Sequence, residues 1–305
     1  MRVEFTQAML KQVEENEKLV FLTGDLGYMA FEELKKILGN RFLNMGVSEQ
    51  NMISVAASLA HDGFIPFVYS IAPFLVARPF EQIRNEIGLH HKAVKLVANG
   101  GGFGYGIMGS THHCLEDIAL MRSVPNMKLF LPTFLEDVDE AVSIMIADKS
   151  PNYLRLNSSV KRSAEVKPFN DFRMIRQGTT GVVLGAGPVM NQIIESNDQQ
   201  NLGLEIWLID QLPIQSLPAA LLERIKENKK VIIVEEHYQA GGLGEMFTVY
   251  LHQNKLIEAA DQVSFHYLNV KGYLSGNYGD QKWHLAENNL YGESLHQALK
   301  QITQS

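Results

Sequence analysis

The strongest constraint on this chain is a repeating grammar in which a short apolar run empties into a glycine-containing or polar loop and a stretch with helical spacing follows. KLVFLTGDLG (18–27), FIPFVYS (64–70), AVKLVANGGGFGYG (93–106) and MKLFLP (127–132) are such runs, and ARPFEQIRNEIGLHH and EDVDEAVSIMIAD are helical stretches behind them. Apolar runs of this length bounded by turn signals predict buried strands. Helices between them predict parallel pairing, because a parallel crossover needs roughly a dozen residues or more. A sheet built this way is covered by helices on both faces and meets its ligands at the carboxyl ends of its strands.

At 305 residues the chain exceeds one compact domain. The periodicity lapses in the polar stretch NSSVKRSAEVKPFNDFRMIRQG and restarts with TTGVVLGAG, LEIWLID, KKVIIVEEH and QVSFHYLNV. The predicted architecture is therefore α/β with two domains, each a largely parallel sheet flanked by helices: residues 1–165, a linker over 166–178, and residues 179–305.

Charge excludes some partners. Lys plus Arg total 27 against 34 acidic residues, so the net charge of -7 gives no footprint for nucleic acid or an anionic membrane surface. No window approaches the roughly 18 uninterrupted apolar residues of a membrane span. A single cysteine, Cys114, and a start (MRVEFTQAMLKQVEEN) without the apolar core of a signal peptide lead us to expect a reducing, cytoplasmic setting.

Three segments carry possible chemistry. In NMGVSEQNMISVAASLAHDG, residues Met52, Val55, Ala56, Leu59 and Ala60 recur at helical spacing, Gly63 ends the run, and Ser48 as N-cap places Glu49 in the first turn. Glu49 is open to two readings: a carboxylate complementing the helix dipole, or a catalytic carboxyl. The glycine run GGGFGYGIMGSTHH (100–113) allows close backbone approach to a ligand, but fits neither the dinucleotide nor the P-loop frame. His112 and His113 at its end lack the spacing of metal ligands, which leaves general acid-base work for one of them; no metal ligands are expected in the chain. EEHYQAGGLGEMF (235–247) superficially resembles a dinucleotide loop, yet its acidic residues and offset point to a turn with tight strand-helix packing.

Taken together, GVSEQNMISVAASLAHDGFIPF, GSTHHCLEDIALMRSVPNM and the restart at TTGVVLGAG resemble, in order and spacing, the pyrimidine-binding and C-terminal domains of transketolases and of the related deoxyxylulose-phosphate synthases. The likeness covers essentially the whole chain and implies a thiamine-diphosphate enzyme in which Glu49 hydrogen-bonds the cofactor's aminopyrimidine and promotes removal of the thiazolium proton. Allowing a one-residue slip in PFVYSIAPFLVARPF, it assigns the ring stacked on the pyrimidine to Phe74, with Ile71 replacing a second aromatic. The histidine that contacts substrate oxygens falls on His112, with His113 an extra candidate. Met108 stands where the family carries an acceptor-reading Asp, and Thr133-Phe134 where it carries a phosphate-gripping Arg, so a standard aldose phosphate is not the expected acceptor.

The family's Gly-Asp-Gly…Asn motif for diphosphate and Mg2+ is absent; Gly24-Asp25-Leu26 is not it. The resemblance thus implies the C-terminal half of a split enzyme. A separate N-terminal diphosphate-binding subunit would ligate Mg2+, and an α2β2 heterotetramer with self-association of this chain would pass a two-carbon ketol unit between carbohydrates. Two alternatives stay open: the β subunit of a 2-oxoacid dehydrogenase, to which RPFEQIRNE is close, and a non-catalytic subunit of the same fold.

Overall fold

Each apolar run is a strand whose successive residues enter opposite layers, as the two-residue period of a strand demands. Leu19 and Phe21 join Phe67, Tyr69 and Val97 in one apolar cluster, whereas Val20 and Leu22 join Val68, Leu96 and Ala98 in another. The first cluster is closed by the helices Arg2–Val13 and Asp137–Ala147 through Phe5, Met9, Val138 and Val142. The second is closed by the helix Glu49–His61 through Met52, Ile53 and Ala56. Full burial of a large apolar side chain contributes about 1.5–3 kcal/mol, so these two layers hold the first sheet rigid beneath the loops at its edge.

The structure, a computed structural model, describes residues 1–258 and 261–304. The strands are β1 (Leu19–Thr23), β2 (Phe42–Asn44), β3 (Ile65–Ile71), β4 (Lys95–Asn99), β5 (Lys128–Phe130), β6 (Asn152–Leu156), β7 (Phe172–Arg176), β8 (Val182–Gly185), β9 (Glu205–Ile209), β10 (Gln211–Leu212), β11 (Lys230–Tyr238) and β12 (Ser264–Val270). One sheet has the order β10-β5-β6-β4-β3-β1-β2 and the other β12-β11-β8-β9-β7. Every pairing is parallel except β10 on β5 and β7 on β9, so the expected two-sheet, largely parallel architecture is what the chain adopts.

Two details of the connection differ from the simplest expectation. The stretch 166–178, polar enough to read as linker, contains β7, an edge strand of the second sheet. Its polarity has a structural use: Arg173 of β7 is buried, donating through Nη1 and Nη2 to the Asp137 carboxylate at 2.9 and 2.7 Å and through Nη2 to Asp210 Oδ1 at 2.9 Å. β10, following β9 closely in sequence, crosses to the edge of the first sheet. The apolar cluster under helix Glu49–His61 also runs on into Val182, Leu184, Ile233 and Phe247 of the second unit. The two units therefore share a core.

Candidate active site

The loops after β1, β2, β3 and β4 meet at the carboxyl edge of the first sheet. The backbone N–H of Asp25 donates to Asn44 Oδ1 at 3.0 Å, joining the first two loops, and contacts described below join the others. After β2 the chain turns at Gly46, whose φ of 67° suits a residue without a side chain. Ser48 then holds the N-cap position, though its hydroxyl makes no capping bond, and Glu49 opens the helix.

Glu49 is buried, and the Nη1 of Arg78 donates to its Oε1 at 3.0 Å. Arg78 belongs to the turn after the short helix Ala72–Val76, which begins where β3 ends and carries Phe74. The guanidinium carbon lies 4.0 Å from the centre of the Phe74 ring, so one planar group faces both the carboxylate and the aromatic face. Phe74 in turn meets the imidazole of His112 edge-on at 5.1 Å, and His112 lies 5.9 Å from the Tyr105 ring. Tyr105 is fixed by Asn99, the last residue of β4, whose Nδ2 donates to its hydroxyl at 2.8 Å. Gly100 makes room for that ring: a β-carbon there would stand 2.3 Å from it.

The structure thus brings Glu49, Phe74 and His112 together and adds Arg78 and Tyr105. Ile71 ends β3 at the same edge, half-buried. Met108 is exposed on the turn Gly106–Met108. Thr133 and Phe134 are buried, and their backbone N–H groups donate to Asp137 Oδ2 at 3.0 and 2.9 Å, bracing the turn that precedes the helix Asp137–Ala147.

The adjacent histidines separate cleanly. His112 Nδ1 bonds the Thr111 hydroxyl at 2.9 Å, and its Nε2 has no hydrogen bond among the described residues. His113 is buried with both nitrogens engaged, Nε2 on the Gly106 carbonyl at 2.6 Å and Nδ1 with the Tyr273 hydroxyl at 2.8 Å. Its ring packs against Phe103, Tyr273 and His284. Burial pushes its pKa down, although the bond to Gly106 opposes that. Its bond to Tyr273 ties His113 to the second unit.

The glycine run also finds its explanation in packing. A β-carbon on Gly101 would approach Arg155 Nε to 2.6 Å, one on Gly102 the Glu236 carboxyl to 2.4 Å, and one on Gly104 Asn157 Oδ1 to 2.7 Å. The Phe103 N–H donates to Glu236 Oε1 at 2.7 Å. The loop is bare at these three positions because the buried polar side chains of Arg155, Glu236 and Asn157 pack against its backbone.

At the second glycine loop, the Leu243 and Gly244 N–H groups donate to the Glu235 carboxylate at 2.7 and 3.1 Å, capping the helix Leu243–Gln253. An internal carboxyl group already fills the place a phosphate would take at a helix N-terminus, and the packing reading of this loop holds. Burial pushes the Glu235 pKa up to about 7 against those two bonds. We expect Glu235→Gln to cost about 1–3 kcal/mol, because an amide must turn one N–H against a backbone N–H. An unchanged urea midpoint would show the cap to be idle. Among the described residues no group of three or more His, Cys, Asp or Glu is placed to hold a metal ion, and no helix is long and apolar enough to cross a membrane.

Comparison with known proteins concerns the chain as a whole. The family model for the transketolase pyrimidine-binding domain matches residues 1–162. An apulose-4-phosphate transketolase subunit of Phocaeicola vulgatus is 28% identical over 263 residues, covering 83% of this chain and 84% of that one. Human transketolase-like protein 2 is 31% identical over 251 residues, covering 78% of this chain but only 40% of its own length. Among solved structures, a split gene transketolase in an inactive beta4 tetramer superposes with a TM-score of 0.82 at 25% identity, covering 99% of this chain and 97% of that one.

Proposed function

Because the chain belongs to the transketolase family, as a C-terminal-half subunit of the split type, we propose that it provides the pyrimidine side of a thiamine-diphosphate site completed by a separate diphosphate-binding subunit. In this proposal the assembled enzyme moves a two-carbon ketol unit from a ketose donor to an aldehyde or ketone acceptor. One observation carries it. A buried carboxylate and an aromatic face, Glu49 and Phe74, flank one flat N–H donor, the Arg78 guanidinium, which supports reading the place as one for a flat ring. An aminopyrimidine has the same flatness; its exocyclic amino group is a donor, and a ring nitrogen becomes one when protonated.

Thiamine diphosphate, when bound, supplies the electron sink that holds the transferred carbon unit. Glu49 accepts a hydrogen bond from the ring and moves a proton at that ring nitrogen. Phe74 fixes the plane of the ring. His112, whose Nε2 is uncommitted, donates to a substrate oxygen, and Tyr105 holds the His112 ring from its other side.

The need for a partner is supported by what the site edge exposes. Tyr28, Met29, Val47, Ile107 and Met108 stand exposed on loops after β1, β2 and β4. Apolar side chains gathered around a half-site of this kind fit a protein surface better than water. We place Mg2+ on the partner, and take an α2β2 assembly, with self-association of this chain, as the arrangement to test. The relative that forms a beta4 tetramer is inactive in that form.

Acceptor choice follows from the loop after β5. Thr133 and Phe134 offer no cation and spend their backbone donors on Asp137. Phosphate recognition from this loop would thus lack charge-assisted bidentate bonds, which are roughly twice as strong as neutral ones. We expect ribose 5-phosphate to be a poor acceptor beside an unphosphorylated aldehyde or ketone, measured as kcat/KM on the assembled complex. Efficient use of ribose 5-phosphate would contradict this.

The test of the function is to mix the chain with its partner, thiamine diphosphate and Mg2+, and follow donor-ketose cleavage. Turnover only with a 2-oxo acid and a lipoyl carrier would make it a dehydrogenase subunit, and no turnover with either class would make it non-catalytic.

A further inference from the structure

The space between Glu49 and Phe74 is filled by a residue whose own position suits it to leave. Arg78 is 48% exposed at the side chain whereas Glu49 is 7% exposed. Glu49 is anchored by the helix that buries Met52, Ile53 and Ala56, and Phe74 by the short helix that buries Leu75 and Val76. Carboxylate and ring are therefore held apart by two backbones that are themselves packed into the core. Arg78 lies outside that core, in the turn over 77–79, on a long unbranched stem.

The guanidinium group is planar, carries N–H donors on its edge, and stacks on aromatic faces. Here it uses both properties at once, one N–H on Glu49 Oε1 at 3.0 Å and its plane's carbon 4.0 Å from the Phe74 centre. An aminopyrimidine seated on Phe74 and bonded to Glu49 would need the same volume and the same acceptor. Guanidinium and ring cannot share them.

We propose that Arg78 is a positioning residue that takes the aminopyrimidine's place in the unloaded chain, keeping the buried Glu49 carboxylate bonded and the Phe74 face covered until the cofactor displaces it. The inference rests on the reading of Glu49 and Phe74 as the pyrimidine site. It adds an internal competitor that cofactor binding must overcome, and a group that in return keeps the half-site in shape. Without it, a buried carboxylate would lack its ion-pair partner, which is unfavourable.

The test uses the full chain without its partner and, as probe, the free hydroxymethyl-aminopyrimidine that forms half of thiamine, titrated by ligand-observed NMR. Arg78→Ala removes the competitor and should tighten probe binding about tenfold. That factor is the size expected when an exposed cation-π contact and an exposed ion pair no longer have to be broken. Arg78→Lys keeps the charge, loses the plane, and should fall between the two. Because Arg78 is half exposed, both variants should keep the wild-type circular dichroism. Binding by Arg78→Ala that equals or falls below wild type overturns the proposal. Glu49→Gln tells the two readings apart. If it weakens the probe while Arg78→Ala gives no gain, the pyrimidine site stands and the displacement fails. If neither Glu49→Gln nor Phe74→Ala affects the probe in any background, the pyrimidine site itself is refuted, and the displacement with it.

Discussion

Glu49→Gln should cut turnover of the assembled two-chain complex by about 10²- to 10⁴-fold, the usual contribution of a positioned acid-base group, while the complex still assembles and folds. Glutamine keeps the volume of a buried side chain and an acceptor oxygen, so the core under Met52 and Ile53 has no reason to shift. What it cannot do is exchange a proton. The ion pair it removes is with a half-exposed Arg78, and such pairs contribute little. The competing account of Glu49, a carboxylate that merely complements the helix dipole, predicts the opposite pattern: a loss of about 0.3–1 kcal/mol in stability with activity intact. Steady-state turnover and urea unfolding on the same preparation separate the two, and near-wild-type turnover would remove Glu49 from the mechanism.

How much of this is legible in the sequence differs from residue to residue. The strands are readable because a parallel sheet covered on both faces leaves its strands as continuous apolar runs, and β1, with every residue buried, is LVFLT. Glu49, Phe74 and His112 follow from motif resemblance, and no local pattern alone distinguishes Glu49 from a helix-dipole partner. Arg78 escapes a motif-based reading, although a lone cation within FLVARPF, flanked by apolar residues and followed by Pro79, is a visible anomaly. Tyr105 is hidden inside the glycine run.

The glycine run reads in sequence as a place for ligand approach, whereas at Gly101, Gly102 and Gly104 the structure packs other side chains there, because sequence shows only that side chains are missing and not what fills the space. Here the occupants are Arg155, Glu236 and Asn157, from strands β6 and β11 and the residue just past β6. Glu236 lies more than a hundred residues away in the chain, and no short-range pattern announces a pairing of that kind. His113 shares this origin. Its partner Tyr273 lies in the second unit, so the two histidines take different surroundings only once both units are in place. The same long-range contacts brace the site edge. The loop that carries Tyr105 and His112 is fastened at one end by Glu236 and at the other by Tyr273.

The residue on which that fastening most depends is Arg155, and Arg155→Ala should cost about 3–5 kcal/mol of stability, the range for breaking a buried ion pair from one side. Arg155 Nε donates to Asp117 Oδ2 at 2.7 Å and Nη2 to the Glu236 carbonyl at 2.9 Å, so one guanidinium joins β6, the helix Asp117–Arg122 and β11. Asp117 is fully buried. Burial alone would push its carboxyl up, but Arg155, His237 and the hydrogen bonds from Arg155 and Tyr153 outweigh it and hold the pKa below the ordinary carboxylate range. A depressed folded-state pKa contributes stability above the unfolded value that is lost as pH falls through the folded one. In the wild type this group therefore favours folding at neutral pH and less so in acid. With Arg155 gone, burial faces weaker opposition, the folded-state pKa rises above the unfolded one, and the sign reverses: the Asp117 contribution then falls as pH climbs out of the acid range. Urea midpoints of both proteins between acid and neutral pH should thus diverge as pH rises. Replacing the pair together, Arg155→Met with Asp117→Leu, should recover much of the loss, since apolar substitution of a buried ion pair is often neutral or stabilising. Parallel pH profiles for wild type and Arg155→Ala would mean that Asp117 is held by its other neighbours, and that Arg155 contributes packing and not charge.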